Sequence, residues 1–298
     1  MAYSHVLLGA GAGANPVRVT VRRIGFADLK DALSKGLADF SAMPTHAIFL
    51  CAIYPVIGLV LARLAFGYSI LPLLYPLGTG FALVGPIAAI GIYELSRRRE
   101  AGLEVSAMHS LDVVQSSSIG AIVVLGILLS LIFMIWVTVA NALYVATFGY
   151  GTPDSLWQFA HEVLTTQAGW TLIIAGNLIG LVFAAIVLTI SAVSFPMLID
   201  RDAGAAVALL TSIRVVAENP VTMAAWGLIV AVLLLIGSLP FFLGLTIVIP
   251  VLGHATWHLY RKAVDAEGGE RPNIPSPPSG KRYAADFPAN LFPWAREP

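Results

Sequence analysis

The side chains best suited to chemistry lie in one short stretch, Gly253-His254-Ala255-Thr256-Trp257-His258-Leu259-Tyr260-Arg261-Lys262. His254 and His258 are four residues apart, which places both imidazoles on one face of a helix. Imidazoles bind zinc or haem iron, although either site needs further ligands. His46 and His109 would lie near the same membrane surface in the topology described below, so a haem or metal site is one hypothesis for this stretch.

A second interpretation makes the same residues anchors at the membrane interface. Trp, Tyr and His combine an apolar body with a polar tip, which suits the headgroup level of a bilayer. Glu94 is followed by three arginines, and we expect an ion pair at that helix end. We favour this interpretation, and the predicted anchors are Glu94, Arg97, Trp257, His258, Tyr260 and Arg261.

The composition is that of a membrane protein. Hydrophobic residues make up 58% of the 298 residues and charged residues 11%, with a mean hydropathy of +0.84, whereas soluble domains carry about 25% charged residues. The formal net charge of zero gives no general attraction for nucleic acid. The single cysteine, Cys51, lies in an apolar run, so no intrachain disulfide is expected.

Apolar runs long enough to cross a bilayer, about 20 residues, are spaced along the chain. They cover residues 47–66, 70–93, 119–148 and 170–198, and a longer run covers 221–260. We interpret the last run as two helices with a turn near Gly237–Pro240, which gives six transmembrane helices. All Lys and Arg except Arg63 then lie on one side, which the positive-inside rule makes cytoplasmic, with both termini.

A repeat underlies this topology. Ala32-Leu33 precedes Pro44 and the first membrane run at the same distance as Ala208-Leu209 precedes Pro220 and the fifth. An amphipathic segment precedes each pair of membrane helices, at residues 26–41, 104–118 and 200–219. We therefore predict an all-α, polytopic membrane protein built from three parallel repeats of an amphipathic helix plus a transmembrane hairpin.

The chain divides into three parts by composition. Residues 1–25 are rich in Gly and Ala and then basic, which suits a flexible cytoplasmic arm. Residues 26–262 form the six-helix membrane domain. Residues 263–298 form a cytoplasmic tail rich in Pro and Gly. We expect aromatic side chains of the tail to bind a protein partner: Tyr283, Phe287, Phe292 and Trp294.

The membrane runs carry few groups for transport or catalysis. Asn141 and Asn177 are amides within the third and fourth runs, and they either bond between helices or line a polar path. Transport coupled to protons or ions usually requires acids or bases inside the bilayer. His161-Glu162 lacks the second histidine of a metalloprotease motif. We therefore expect no catalytic site, no cofactor and no nucleic-acid partner.

Several short motifs together resemble a known family. They are Asp28-Leu29, Ala32-Leu33, Gly36, Asp39, Gly85-Pro86, Tyr93-Glu94 and, above all, residues 253–260, GHATWHLY. The chain from Phe26 to Lys262 resembles a proteobacterial family of predicted integral membrane proteins catalogued as a domain of unknown function. The resemblance implies a bacterial inner-membrane location and no established activity. Some relatives carry names suggesting cytochrome c oxidase subunit I, but His254 alone lies at the depth where such a subunit has its haem and copper ligands.

Three functional hypotheses follow. The first is a non-catalytic accessory or scaffold subunit of a bacterial inner-membrane complex, with a respiratory, cytochrome oxidase-associated assembly as the candidate. The second is a small-molecule or lipid transporter, suggested by six helices in repeats with helices broken by proline. The third is a membrane redox protein in which His254 and His258 bind haem or metal.

Overall fold

The computed structural model describes residues 7–9, 17–44, 71–73, 76–78, 85–151, 153, 155–240 and 242–267. The strands are β1 (Leu7–Gly9), β2 (Val17–Val21) and β3 (Val264–Glu267). The α-helices are α1 (Phe26–Ala42), α2 (Gly85–Ala88), α3 (Ile90–Glu100), α4 (Ile119–Phe148), α5 (Leu156–Thr165), α6 (Gln167–Ser191), α7 (Ser194–Asp200), α8 (Ala205–Glu218), α9 (Pro220–Ser238) and α10 (Leu245–Ala263). Short 3-10 helices cover Leu71–Leu73 and Ala107–Gln115.

Three stretches of the described chain are helical, long and apolar enough to cross a membrane. They are Ile119–Phe148, Gln167–Asp200 and Pro220–Ser238. Their outward side chains are apolar: Ile127 on α4 is 63% exposed and Leu181 on α6 is 65% exposed. Such surfaces suit lipid and not water, so the predicted membrane class and the helix at 119–148 are confirmed.

The remaining predicted membrane runs have mixed outcomes. The run at 47–66 lies outside the described residues, and the run at 70–93 is described only in part. Its described part is interrupted, because α2 and α3 are separated at Ala89, shortly after the Gly85-Pro86 motif. The run at 221–260 is two helices, α9 and α10, as predicted. α10 is not among the three candidate spans of the described chain. Six spans and the threefold repeat stay predictions.

α4 and α6 pack against each other. The buried face of α4 carries Leu125, Leu129 and Trp136 at helical spacing. The Trp136 ring lies 5.5 Å from the Phe183 ring of α6. A Cβ atom at Gly180 of α6 would lie 3.1 Å from the Trp136 indole, so the absent side chain leaves room for the ring. This contact fixes the register of the two helices.

α1 packs closely along α10. Its buried face carries Leu29, Ala32, Gly36 and Asp39. A Cβ atom at Gly36 would lie 2.6 Å from the backbone nitrogen of Ala255, so the two helix backbones nearly touch at this point. The prediction of a helix at 26–41 is confirmed, and its face with Leu29 and Ala32 is covered by protein, whereas Phe26 and Leu37 are 63% and 54% exposed.

The other two segments predicted to be amphipathic contain different kinds of helix. Residues 104–118 contain the 3-10 helix Ala107–Gln115 and not an α-helix. Residues 200–219 contain α8, which begins at Ala205 after a left-handed Gly204 (φ 74°). The buried face of α8 is formed by Ala208, Thr211, Ser212 and Val215.

A three-stranded antiparallel sheet was not expected from the sequence. β2 lies between β1 and β3, and Val19 pairs with Leu7 on one side and with Ala266 on the other. The segments treated as a flexible arm (1–25) and a separate tail (263–298) are therefore joined in their described parts. The chain is mainly helical, as predicted, and this small sheet is an addition to the predicted fold. Its pairing is non-local, so no periodicity within one segment reveals it.

The chain after β2 is fixed to the junction between α8 and α9. The Ile24 amide donates to the Asn219 side-chain oxygen at 2.8 Å, and the Asn219 amide group donates to the Arg22 carbonyl at 3.1 Å. Thr222 donates to the Ile24 carbonyl at 3.0 Å. The sheet is thereby held against the helical part, and Val19 is 1% exposed.

Candidate functional site: a buried charged cluster

Most ionisable side chains near the ends of α1, α3, α7 and α10 meet in one place. We name this group the charged cluster. It comprises Asp39, Glu94, Ser96, Arg97, Arg98, Arg99, Glu100, Asp112, Asp200, His254, Trp257, His258, Tyr260 and Arg261. Because four helices and one 3-10 helix supply its members, the cluster is a product of the tertiary fold.

Glu94 is the centre of the first part of the cluster, and its side chain is 0% exposed. Helical spacing brings the third and fourth residues after it to the same face. Arg97 donates two hydrogen bonds to its carboxylate, both at 2.7 Å, and Arg98 donates a third at 2.8 Å. Arg98 also donates to Asp112 at 3.0 Å, which fixes α3 to the 3-10 helix.

Arg97 and Asp112 have shifted pKa values. The hydrogen bonds to Glu94 raise the pKa of Arg97, although burial alone would lower it. Burial raises the pKa of Asp112, and the neighbouring Arg98 opposes this effect. Arg97 therefore stays charged, and Glu94 has a permanent counter-charge on each side.

The second part of the cluster surrounds Asp39 of α1. One carboxylate oxygen accepts from Arg99, and the other accepts from Ser96 at 3.0 Å and lies 2.9 Å from the Nε2 atom of His258. Burial by itself would raise the pKa of Asp39. The hydrogen bond from His258, together with the neighbouring imidazoles and the positive charge of Arg99, outweighs burial, so the pKa of Asp39 lies below its ordinary value.

His254 is completely buried and continues this network. Its Nδ1 atom lies 2.6 Å from the Ser96 hydroxyl oxygen. Ser96 has one hydroxyl proton, and the ionised Asp39 can only accept, so Ser96 donates to Asp39 and the Nδ1–H of His254 donates to Ser96. The Nε2 atom of His254 is then unprotonated, and it is buried without a hydrogen-bond partner.

The third part of the cluster joins α7 to α10. Tyr260 donates to Asp200 at 2.8 Å, and Arg261 donates to Asp200 at 3.3 Å and to Glu100 at 3.0 Å. Trp257 donates its indole N–H to Glu100 at 2.8 Å. Asp200 and Glu100 therefore connect the last turn of α10 to two other helices.

The predicted membrane anchors contact protein. Trp257 and Tyr260 are each 1% exposed, and Glu94 is 0% exposed. An anchor must present its surface to headgroups, whereas these three side chains present theirs to protein, and the ion pair expected at Glu94 is observed. Arg97, His258 and Arg261 also bond within the cluster, and Arg261 is the most exposed of the three. Buried ion pairs satisfy these side chains more completely than an interface would.

A hydrolase triad contains the same residue types as Ser96, His254 and Asp39, but the order in which they hydrogen-bond differs. In a triad the imidazole lies between the serine and the carboxylate and uses both nitrogens. Here Ser96 lies between His254 and Asp39, and it is 1% exposed. Its proton is directed at a carboxylate, so the arrangement does not activate a nucleophile.

The histidines do not form a metal site within the described chain. His258 directs its Nε2 atom at Asp39, and His109 accepts a hydrogen bond at 3.0 Å from the Ser106 backbone amide, closing a helix cap. Among the residues that the structure describes, no group of three or more His, Cys, Asp or Glu side chains has the geometry to hold a metal. His46 lies outside them.

Other predicted positions lie away from the cluster. Asn141 and Asn177 are exposed on α4 and α6, and Asn177 donates to the Ile173 carbonyl of its own helix at 2.8 Å. The predicted partner-binding residues of the tail, Tyr283, Phe287, Phe292 and Trp294, lie outside the described residues. The sequence interpretation named Asp39 only among the motifs of the family resemblance, and it missed Ser96, Glu100 and Asp200. Asp39 had a signal, because it continues the helical stripe of Leu29, Ala32 and Gly36.

Comparison with known proteins found a match to one family model over part of the chain. No curated protein and no solved structure matched the chain. Residues 73–200 match a family model, a range that contains α3, α4 and α6, whereas the motif at 253–260 lies beyond it. The family is described as Predicted integral membrane protein (DUF2189). The resemblance inferred from the sequence is therefore confirmed over residues 73–200, as a predicted integral membrane domain of unknown function.

Proposed function

We propose that the protein is a non-catalytic accessory or scaffold subunit of a bacterial inner-membrane complex. The charged cluster carries this proposal. Glu94, Asp39 and Asp200 are each bonded to side chains of this chain, and through them four helices become one rigid unit. Groups used in this way hold a shape and do not process a substrate.

The pairing of β2 with β3 supports the predicted topology. Val21 pairs with Val264, so the segments near the two termini lie on the same side of the membrane. An even number of crossings must then separate them. α4, α6 with α7, and α9 are three candidate spans, so at least one more crossing is required. Six spans with both termini cytoplasmic satisfy this requirement and place the arginines inside.

The predicted partner surface is the tail. The predicted tail, 263–298, starts at the end of α10 and forms β3, where the Arg22 side chain bonds to Asp265 and the Arg22 backbone amide donates to the Ala263 carbonyl at 2.8 Å. Its aromatic side chains would then extend from a rigid base toward a partner on the cytoplasmic face. A respiratory complex, such as cytochrome oxidase, is the first assembly to examine.

Purification from native membranes in mild detergent, followed by mass spectrometry, tests the proposal. We expect a stoichiometric membrane-protein partner with the wild-type chain. A variant with Phe287→Ala, Phe292→Ala and Trp294→Ala should lose about 90% of that partner, as expected when anchor side chains are removed. The matched control is Phe26→Ala, because Phe26 is an exposed aromatic side chain outside the tail. Migration of the wild-type chain as a lone protomer would contradict the proposal.

Reporter fusions test the topology separately. Fusions after residue 267 should be cytoplasmic, and fusions at residue 153, between α4 and α5, should be periplasmic. A periplasmic signal at both positions would contradict an even number of spans.

Neither alternative function, transport or redox chemistry, gains a supporting contact among the described residues. An optical spectrum with metal analysis of the pure protein tests the redox hypothesis, and we expect neither a Soret band nor stoichiometric metal.

A further inference from the structure

The short helix α5 lies across the ends of α4 and α6, opposite to the charged cluster. The Phe159 ring packs against the rings of Tyr144 (6.1 Å) and Phe148 (6.2 Å), which lie in the last turns of α4. The backbone of Val163 lies against Gly169, in the first turn of α6. α5 therefore closes the hairpin at its tip and does not extend it.

The surface of α5 divides into three faces. Phe159 and Val163 face the hairpin. Gln158 and Glu162 form a polar face, and the Gln158 amide donates to the Glu162 carboxylate at 3.0 Å. The third face carries Trp157 and Leu164, which are 83% and 61% exposed, with the exposed His161 between them at helical spacing. A large exposed Trp and Leu beside a polar face are characteristic of a helix that lies in a membrane interface.

The position of α5 along the membrane normal supports this assignment. α4 has 30 residues, so at 1.5 Å per residue it is about 45 Å long, which equals the thickness of a bilayer with its headgroups. Its end at Phe148 then reaches the headgroup level. Tyr150 and Trp170, which flank α5, are 92% and 52% exposed, as in the aromatic belts of membrane proteins. Residues 149–169 contain no Lys or Arg.

We propose that α5 is an interfacial helix that binds the bilayer surface, with Trp157 and Leu164 inserted at the boundary between headgroups and acyl chains and with Gln158 and Glu162 in water. The occupant of the apolar face is lipid, because α5 joins two candidate membrane spans, α4 and α6, whose exposed side chains are apolar and would face lipid. The inference rests on the candidate spans and is independent of the subunit role.

Site-specific fluorophores test this inference. Trp157→Cys, Leu164→Cys and, as the matched control, Gln158→Cys are made in a Cys51→Ala background and labelled with an environment-sensitive dye. The full chain is placed in vesicles of phosphatidylethanolamine and phosphatidylglycerol. We expect the dyes at 157 and 164 to be quenched about threefold more by spin-labelled lipid than the dye at 158, and less by iodide. If the Cys51→Ala chain does not fold, the same variants are made with Cys51 retained and its signal is subtracted.

Two outcomes would overturn the inference. Equal quenching by iodide at the three positions would place all faces of α5 in water. Protection of 157 and 164 from both quenchers in the purified protein would show that another copy of the chain, and not lipid, covers the apolar face.

Discussion

Polar groups are buried and paired at one end of α4 and exposed to solvent at the other. At its start, Ser118 bonds to Asp202 at 3.4 Å beside the charged cluster, where carboxylates and guanidinium groups are removed from water and pair across helices. At the end of α4, aromatic rings pack against α5 and a side-chain cap stabilises α5, whose polar face is exposed. The contacts at the first end join residues far apart in the chain, whereas those at the second end join neighbours.

This difference indicates where a single substitution has global consequences. A buried charge that loses its partner destabilises the protein strongly, because neither water nor another group compensates it. A lost cap at the exposed end frees a backbone group that water can satisfy. We therefore expect substitutions in the charged cluster to affect the whole fold, and those in α5 to affect α5 alone.

Glu94→Gln should give the largest effect. The substitution removes the negative charge between Arg97 and Arg98 at a site with no access to water. We expect the free energy of unfolding to fall by about 3–5 kcal/mol, the usual cost of breaking a buried pair. Thermal and denaturant unfolding in detergent, followed by circular dichroism, measures the change. Glu104→Gln is the matched control, because Glu104 is exposed. Equal destabilisation by both variants would contradict a central role for Glu94.

Asp39→Asn should lower stability by about 1.5–3 kcal/mol near neutral pH, since hydrogen bonds to a charged group are lost. The pKa of Asp39 is lowered in the folded protein. Its contribution is therefore fully present above the ordinary carboxyl pKa of about 4, and it is lost as the pH falls through the lower folded value.

The unfolding curves of Asp39→Asn and wild type should accordingly converge in acid. Asp31→Asn is the control, because its carboxylate is exposed to water and bonds only to lysines, Lys35 and Lys262. A gap between wild type and Asp39→Asn that stays constant from neutral pH to acid would exclude the ionised carboxylate as its cause.

Gly36→Ala tests the close approach of α1 and α10. The new methyl group would lie 2.6 Å from the Ala255 nitrogen and 2.7 Å from its Cβ atom. Because backbone cannot rotate away, we expect a loss of about 1–3 kcal/mol from overpacking. Gly120→Ala in α4 makes the same change where no atom lies within 4 Å, and it should be neutral or stabilise by up to about 1 kcal/mol. Similar effects of the two variants would mean that α1 does not pack as described.

Ser155→Ala should give the smallest and most local effect. The Ser155 hydroxyl accepts a hydrogen bond from the Gln158 amide at 3.1 Å and caps α5. Its loss should destabilise α5 by about 1 kcal/mol. Hydrogen exchange of residues 156–165 should accelerate, while the midpoint of global unfolding should not change. Faster exchange in the charged cluster would show that the two ends of α4 are coupled.

The predictable part of the fold is the part that one segment encodes. The helix expected at 119–148 was observed as Ile119–Phe148, and the one expected at 26–41 as Phe26–Ala42, because apolar periodicity and length are properties of a single stretch. The cluster was not predictable in this way. Asp39 and His258 are separated by 219 positions, and no pattern within either helix links them.

The same limit applies to the predicted anchors. Trp257 and Tyr260 have the composition of interfacial residues, and composition does not distinguish a lipid headgroup from a carboxylate of the same protein. Their partners, Glu100 and Asp200, were not identified from the sequence. The contact of α10 with α3 and α7 decides the matter, since it replaces lipid with protein around both rings.

The sequence alone determined that this chain belongs in a membrane, where its main apolar helices lie, and that the run at 221–260 is two helices. Each of these properties depends on hydrophobicity and chain stiffness over neighbouring residues. The tertiary structure alone decided that His254, Asp39 and Ser96 meet in a buried network and that β2 pairs with β3. Such contacts depend on how distant segments exclude water together, and that exclusion exists only once the helices have packed.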